Sequence, residues 1–587
     1  MTNHFPSLAR YAHLLYCEHA VLRFAGKRLP FDGACGGAQG CNMAGPSFCV
    51  AIQDHIVLKV KERFGLELNL WYADDNTFAG KIMETHKASE FLITEGPKIG
   101  VVQNLTKSVV FFPCSLSGLE PICDPFPKEM KRAKGGIVCL GTPIGNAEFT
   151  ANYLKEKIDV LKPLLTDLKS LPVHAGYHLL KTCSSFGKVA YRLRTASPID
   201  SLEVWKDFDL DIQSCLADIL AIPELAPYTR ALMSLCAKHG GLGMTSTALA
   251  SPAAYIASFT TCNDRIEKLG LHRLQPPPEM ATIVQLLNSS LSSNDQITIT
   301  IDSPPMTQHE LMSKVHSQTN ADLIKHAPTP LDAARHVAHQ MPHSATHLSL
   351  CPTPERTFSD EEMITLLKIR LNLPVYAHEK TCPKCKKDVC DVKANHALCC
   401  LGDVDKIAIH NTVASVLGKE LIAAGYRTRF EVSNLKLSPH TNDRPADLYA
   451  FEFERHLGAA FDVTVHSPTA FHNIRGTLAG PRFDSIVPMP NYAAAVAEQE
   501  KFQRYAYLND RHFIRPLCFQ SNGGWNQITQ DTIVKLAQRS CKARKLSFFK
   551  NLQLISERLA FNLMKVIANA VLSRKPVTYN VDAPRVD

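Results

Sequence analysis

The stretch Leu66-Glu67-Leu68-Asn69-Leu70-Trp71-Tyr72-Ala73-Asp74-Asp75-Asn76-Thr77-Phe78-Ala79-Gly80 decides how the first part of the chain is read. Leu66, Leu68 and Leu70 alternate with polar residues, the period of a half-buried strand. Asp74, Asp75 and Asn76 are turn formers, and apolar residues return with Phe78. The pattern predicts a hairpin with two adjacent carboxylates at its tip. Such a pair is costly in like-charge repulsion unless a cation lies against it. Magnesium takes oxygen ligands of this kind and can clamp phosphates during in-line nucleotidyl transfer. A solvated turn is the plain alternative, and an isolated Asp-Asp does not separate the two.

The flanking sequence separates them. Upstream stand Gly36-Gly37-Ala38-Gln39-Gly40, where glycines allow close approach of backbone to a nucleotide and Gln39 can hydrogen-bond a base or sugar. Downstream come Asn104-Leu105-Thr106-Lys107, then Gly136-Ile137-Val138-Cys139-Leu140-Gly141-Thr142. Further on lie Arg192-Leu193-Arg194-Thr195 and His239-Gly240-Gly241-Leu242-Gly243-Met244.

In this order and spacing the blocks resemble the reverse transcriptase of non-LTR retrotransposons. The resemblance implies a right-hand palm over 1–150 and a helical thumb over 151–272. It makes Asp74, Asp75 and Lys107 catalytic, with Asp74 and Asp75 as Mg²⁺ or Mn²⁺ ligands, and puts Gln39, Gly40, Arg192 and Arg194 on nucleotide or nucleic acid. Members of that family carry another catalytic aspartate on a strand ahead of a helix that here begins near Phe5. The expectation is therefore an N-terminally truncated palm and no polymerase activity from this chain alone. Asp32, beside Gly33, has no matching context.

A second constellation is Cys382-Pro383-Lys384-Cys385 followed by His396-Ala397-Leu398-Cys399-Cys400. Cys-x2-Cys puts two thiolates on one knuckle turn, and a nearby His and Cys complete a tetrahedral Zn²⁺ site. The expected ligands are Cys382, Cys385, His396 and Cys400, with Cys399 as the alternate fourth. His410 is a further candidate that more naturally packs beside the site, and Cys390 has no assigned role. Buried reduced cysteines are the plain alternative.

The third constellation is Arg444-Pro445-Ala446-Asp447-Leu448-Tyr449 and Ala459-Ala460-Phe461-Asp462-Val463-Thr464-Val465, two strands around a turn near Gly458. Pairing them brings Asp447 and Asp462 together, where they can bind Mg²⁺ and activate water against a phosphodiester. Lys501, on a following helical stretch with Tyr505 one turn away, can stabilise developing charge, and Glu431 is a further candidate acid. Solvated strand ends and a surface lysine are the plain alternatives. A knuckle ahead of such a core resembles the restriction-enzyme-like PD-(D/E)xK endonuclease of the site-specific non-LTR elements. The resemblance implies Asp447, Asp462 and Lys501 as catalytic residues. Ala446 separates the proline from the aspartate, and Thr464 stands where many relatives of the wider nuclease superfamily place lysine.

The rest of the sequence bounds the picture. A length of 587 residues requires several cores, and 45% hydrophobic with 20% charged residues is ordinary globular composition. A formal charge of +8 permits a nucleic-acid partner without demanding one. The 19 cysteines, the lack of a signal-like N-terminus and the lack of a membrane-length apolar run predict an intracellular, reducing compartment.

The fold expectation is α/β multidomain: partial palm (1–150), thumb (151–272), a Pro/Ser-punctuated linker with short helices (273–380), zinc knuckle (381–404), α/β nuclease core (405–530), and a basic C-terminal helix and tail (531–587). The functional expectation is a retroelement-derived reverse transcriptase/endonuclease, nuclear in action, with an RNA template and a DNA target as partners and no membrane. The alternative is a non-catalytic nucleic-acid-binding remnant.

Overall fold

A computed structural model describes residues 5–18, 20–24, 27–33, 41–113, 124–400, 403–432, 446–454, 457–479, 487–506 and 514–575. The chain divides into two compact units, Met1–Tyr153 and Leu154–Asp587. It is a mixed α/β protein, mostly helical, with small sheets. No helix among the described residues is long and apolar enough to cross a membrane.

In the first unit, strand β1 (Leu66–Tyr72) pairs antiparallel with β2 (Asp75–Gly80). Tyr72 lies opposite Asp75, so Ala73 and Asp74 alone make the turn. Ala73 has φ 52°, the positive value favoured at the first central position of a two-residue hairpin. One face of the hairpin presents Trp71 and Phe78 to Ile56 and Val60 and to Ala88 and Leu92 of helix α1 (Ile82–Glu95). Leu68 and Leu70 are 42% and 41% exposed. Gly136–Cys139 and Thr142–Gly145 form a second hairpin, whose Leu140-Gly141 turn has positive φ at both positions. Among the described residues every sheet in this unit has two strands.

The second unit corrects the expectation of a linker at 273–380. Helices α2 (Thr247–Lys268), α3 (Met280–Asn288) and α4 (Gln308–Lys325) share one apolar core, with Ala253 and Ile256 against Ile283, Leu287, Leu311 and Val315. The punctuation falls around helix ends: Ser289 closes α3, and Thr329-Pro330 opens the helix Pro330–Ala338. Thr307 caps α4 in a capping box, Thr329 caps the helix Pro330–Ala338, and Ser359 with Glu362 boxes the start of α5 (Asp360–Arg370). At the far end of α5, buried Arg370 donates to the carbonyl oxygens of Ala237, Gly241 and His339. Gly241 is required there, since an added Cβ would lie 2.0 Å from the Leu235 carbonyl oxygen. The presumed linker and the Gly240-Gly241 turn are thus packed together.

Helices α6 (Asn395–Cys400) and α7 (Asp403–Ala423) lead into a four-stranded sheet. Its strands, in order, are β3 (Thr428–Val432), β4 (Ala446–Glu454), β5 (Leu457–His466) and β6 (Ile514–Gln520). The first two pairings are antiparallel and β5–β6 is parallel, with helix α8 (Tyr492–Arg504) in the crossover.

The expected single C-terminal helix is two, α9 (Gln527–Arg544) and α10 (Phe548–Leu572). The chain breaks where Lys545 turns left-handed (φ 53°) and Ser547 caps α10. Ile555, Leu559 and Leu563 of α10 are buried. Several basic residues of this region are spent within the fold: Lys535 on Glu454, Arg539 over the Tyr426 ring, and Arg544 on Glu420.

Candidate functional site

Three groups of predicted site residues have different fates. At the first hairpin, Asp74, Asp75 and Lys107 are exposed, and no hydrogen bond or ion pair joins them. Among the described residues no third acidic group gathers with the aspartates into a metal-sized cluster. Gln39 and Gly40 lie outside the described residues. In the helical region Arg194 donates to Gln308 Oε1 at 3.3 Å, and Arg192 donates to the Lys188 carbonyl oxygen. Lys181 reaches the Leu348 carbonyl and Ser349 instead of solvent, and its burial, with Arg370 nearby, pulls its pKa down to about 8.

The Cys/His group assembles as spaced. A minimal hairpin pairs Thr381 with Val389 and Lys380 with Cys390, holding Cys382 and Cys385 at its tip. The Lys386 N–H donates to the Cys382 carbonyl oxygen, and Lys386 takes φ 57° to close the turn. His396 and Cys400 are four residues apart on α6, hence on one helical face. The ligand atoms of Cys382, Cys385, His396 and Cys400 all lie within 4.8 Å of one another. Cys385 Sγ is 3.5 Å from His396 Nε2, and Cys382 Sγ is 3.9 Å from Cys400 Sγ.

That geometry settles the fourth position within the cluster. Cys399, one residue earlier on the helix, points elsewhere and donates to Ser467 Oγ at 3.2 Å. Asp391 holds the start of α6, accepting from the His396 N–H at 2.8 Å. Arg335 and Lys393 fix the loop to the helix Pro330–Ala338, through the Lys393 carbonyl and the Asp332 carboxylate.

The donor set fits a soft, tetrahedral cation such as zinc. Burial opposes ionisation of Cys382, but backbone N–H groups of Cys385 and Lys384, with His396 and Arg574, lower its thiol to about 5. Burial and then the sulfurs of Cys385 and Cys382 push Cys400 up to about 11. The four donor atoms converge around a space that a tetrahedral cation could occupy.

Of the third group Asp447, Asp462 and Lys501 come together, while among the described residues no third acidic or histidine ligand joins the two aspartates in a metal-sized cluster. Leu448 pairs with Phe461, and the same antiparallel register sets Asp447 against Asp462. The Val463 N–H donates to Asp447 Oδ2 at 2.7 Å. Lys501 Nζ, from α8, is 2.9 Å from both Asp462 carboxylate oxygens. Asp462 is buried, and burial raises its carboxyl pKa; the Asp447 charge adds to that, while Lys501 and a Tyr505 hydrogen bond oppose it. Glu431 is exposed on β3, in the register position beside Asp447.

One member is placed differently from the sequence reading. His410 lies on α7 with Nε2 2.9 Å from Asp447 Oδ2, and it takes no part in the cysteine cluster. The Asp447 hydrogen bond raises its pKa to about 9, against the effect of its burial. Sequence spacing gave no signal for this contact, because α7 and β4 meet only through packing. No protein-family model matches the chain, and no curated protein matches it in sequence.

Proposed function

We propose that this chain is a metal-dependent DNA-nicking protein of the retroelement reverse transcriptase/endonuclease lineage, with its nuclease centre at Asp447, Asp462 and Lys501. One observation carries the reading: two carboxylates set opposite each other on neighbouring strands, one of them buried, with a lysine 2.9 Å from the buried one. Such a group resists ionisation without a nearby cation and gains from a divalent one. A magnesium or manganese ion, when bound, supplies Lewis-acid charge to the scissile phosphate. Asp447 and Asp462 would hold it, with the rest of its coordination left to water and phosphate oxygens. Lys501 steadies negative charge developing on a phosphate oxygen, and His410 orients Asp447 through its shared oxygen. The zinc knuckle, in this reading, is a structural module between the helical region and the nuclease sheet. Asp74 and Asp75 belong to a polymerase-type hairpin, and no polymerase activity is assigned to them here.

A second reading is a nucleic-acid-binding protein without chemistry. It is favoured by the ion pairs themselves, since His410 and Lys501 already compensate both carboxylates. Nicking of supercoiled DNA in magnesium or manganese separates the two. The expected result is cleavage that Asp447→Ala and Asp462→Ala each abolish. Unchanged nicking in those variants sinks the site assignment, and DNA binding with no cleavage in either metal selects the second reading.

A further inference from the structure

The outer strands of the four-stranded sheet carry a surface that the Asp447–Asp462 centre does not use. Side chains alternate along β4, so Asp447, Tyr449 and Phe451 share one face. The antiparallel register sets Arg429 opposite Tyr449 and carries Arg427 beside Phe451, whose N–H donates to the Arg427 carbonyl oxygen at 3.0 Å. The opposite face is taken up by packing, with Phe430 and Leu448 against Gly418 of α7.

On the open face the Arg427 guanidinium carbon lies 4.0 Å from the centre of the Phe451 ring, and that of Arg429 lies 5.6 Å from it. Tyr449 meets Phe451 edge to face, with 4.9 Å between ring centres. An added Cβ at Gly458 would collide with the Tyr449 hydroxyl, so this ring lies across β5 where the strand has no side chain. Both arginines are exposed, and among the described residues neither has a carboxylate partner. Elsewhere on the sheet the cations are matched: Arg515 and Lys535 both pair with Glu454.

Two like charges over one ring repel, and an anion between them relieves the repulsion. An exposed guanidinium stacked on an aromatic ring keeps its outer plane and its forked N–H groups for a ligand, and that fork matches phosphate. Aromatic rings and arginine planes also take nucleobases by stacking, whatever the base. Same-face positions on a strand are about 7 Å apart, so Tyr449 and Phe451 stand about 7 and about 14 Å from Asp447 along β4. The ligand that fits flat rings, two unmatched cations and a line toward two carboxylates is a polyanion with accessible base faces. A duplex presents phosphates but keeps its base faces stacked inside.

We propose that Arg427, Arg429, Tyr449 and Phe451 form a track for an unpaired DNA strand leading to the Asp447–Asp462 centre. Phosphates lie on the two arginines, and bases stack against the Phe451–Tyr449 pair. The identity of the strand as DNA rests on the nuclease reading, whereas the track itself can be read without cleavage.

Binding of a fluorescent oligo-thymidylate to the full chain, without divalent metal and over a range of salt, is the first measurement. The double variant Arg427→Gln, Arg429→Gln should bind more weakly and flatten the slope of log K against log salt by about 1.4, the amount for two lost single-strand phosphate contacts. Its loss should be larger on the single strand than on a duplex of the same length. Phe451→Leu should weaken binding about tenfold with the slope unchanged. If that variant fails to fold, Arg427→Lys replaces it, since lysine keeps the charge and loses the flat plane. Unchanged affinity in the double variant, or an equal loss on duplex, overturns the proposal. Tighter binding of oligo-uridylate than of oligo-thymidylate assigns the track to RNA and overturns it too. Nicking in magnesium then separates the track from the nuclease reading: a duplex with an unpaired stretch should be cut faster than a fully paired one, and the double variant should remove that advantage. Nicking that the double variant leaves untouched sinks the track and keeps the nuclease. Strand binding lost as expected, with no cleavage of either substrate, keeps the track and sinks the nuclease.

Discussion

Lys501→Met provides a thermodynamic probe of the proposed nuclease centre, readable before any activity is measured. In the folded chain the Asp462 side chain is 5% exposed and Lys501 22%, with Nζ 2.9 Å from both carboxylate oxygens. Methionine keeps the aliphatic length and removes the charge. The carboxylate is then left in a buried site facing the Asp447 charge with no lysine opposite. Breaking a buried pair in this way costs about 3 kcal/mol when the remaining group stays ionised. The cost depends on pH in a definite direction. Burial already raises the Asp462 carboxyl above its ordinary 3.8, and loss of Lys501 raises it further. A carboxyl raised on folding binds more protons in the folded state, so its stability contribution falls as pH rises from the unfolded pKa through the folded one. The difference between variant and parent should therefore shrink toward acid, at about pH 5, and be largest at about pH 8. Urea unfolding of both proteins at the two pH values measures this. Adding Asp462→Asn should recover most of the loss at the higher pH, because no buried charge then remains. Equal stability of variant and parent at about pH 8 refutes the reasoning. An equal loss at both pH values refutes it too, since that would be packing and not charge.

Three further outcomes follow from the same structure. His410→Gln should flatten part of the alkaline decline in stability: the histidine pair, fully formed below 6.5, is lost as pH rises through about 9. At 34% side-chain exposure the effect, discounted for solvent screening, is roughly 1–2 kcal/mol, read as the difference between variant and parent unfolding curves. Cys385→Ser and Cys400→Ser should each lower zinc stoichiometry and reduce thermal stability, whereas Cys399→Ser should keep zinc bound, as measured by metal content after dialysis. Glu420→Gln should destabilise the chain by about 2 kcal/mol in urea, because buried Glu420 pairs with the largely buried Arg544 as well as the more exposed Arg558, and the change strands Arg544.

Local chemistry was legible in the sequence wherever a spacing of a few residues fixes geometry. Cys-x2-Cys puts two sulfurs on one turn in any context, and a His and Cys four apart share a helix face, so the gathering of these four residues was legible. The Tyr72–Asp75 turn was likewise visible as a hairpin, because strand alternation and turn formers are local signals. The Asp447 and Asp462 strands could be found for the same reason.

What needed the tertiary structure was everything set by which surfaces meet. Adjacent helix positions differ by about 100° in direction, so only packing decides that Cys400 faces the knuckle while Cys399 faces Ser467. His410 and Asp447 are far apart in sequence, and their contact exists because α7 lies on the sheet. The region 273–380 carries the prolines and serines of a tether, and only burial against α2 and around Arg370 shows its helices to be packed. Arg574, beyond the last helix, has no local signal at all, and only the fold buries it beside Asp405.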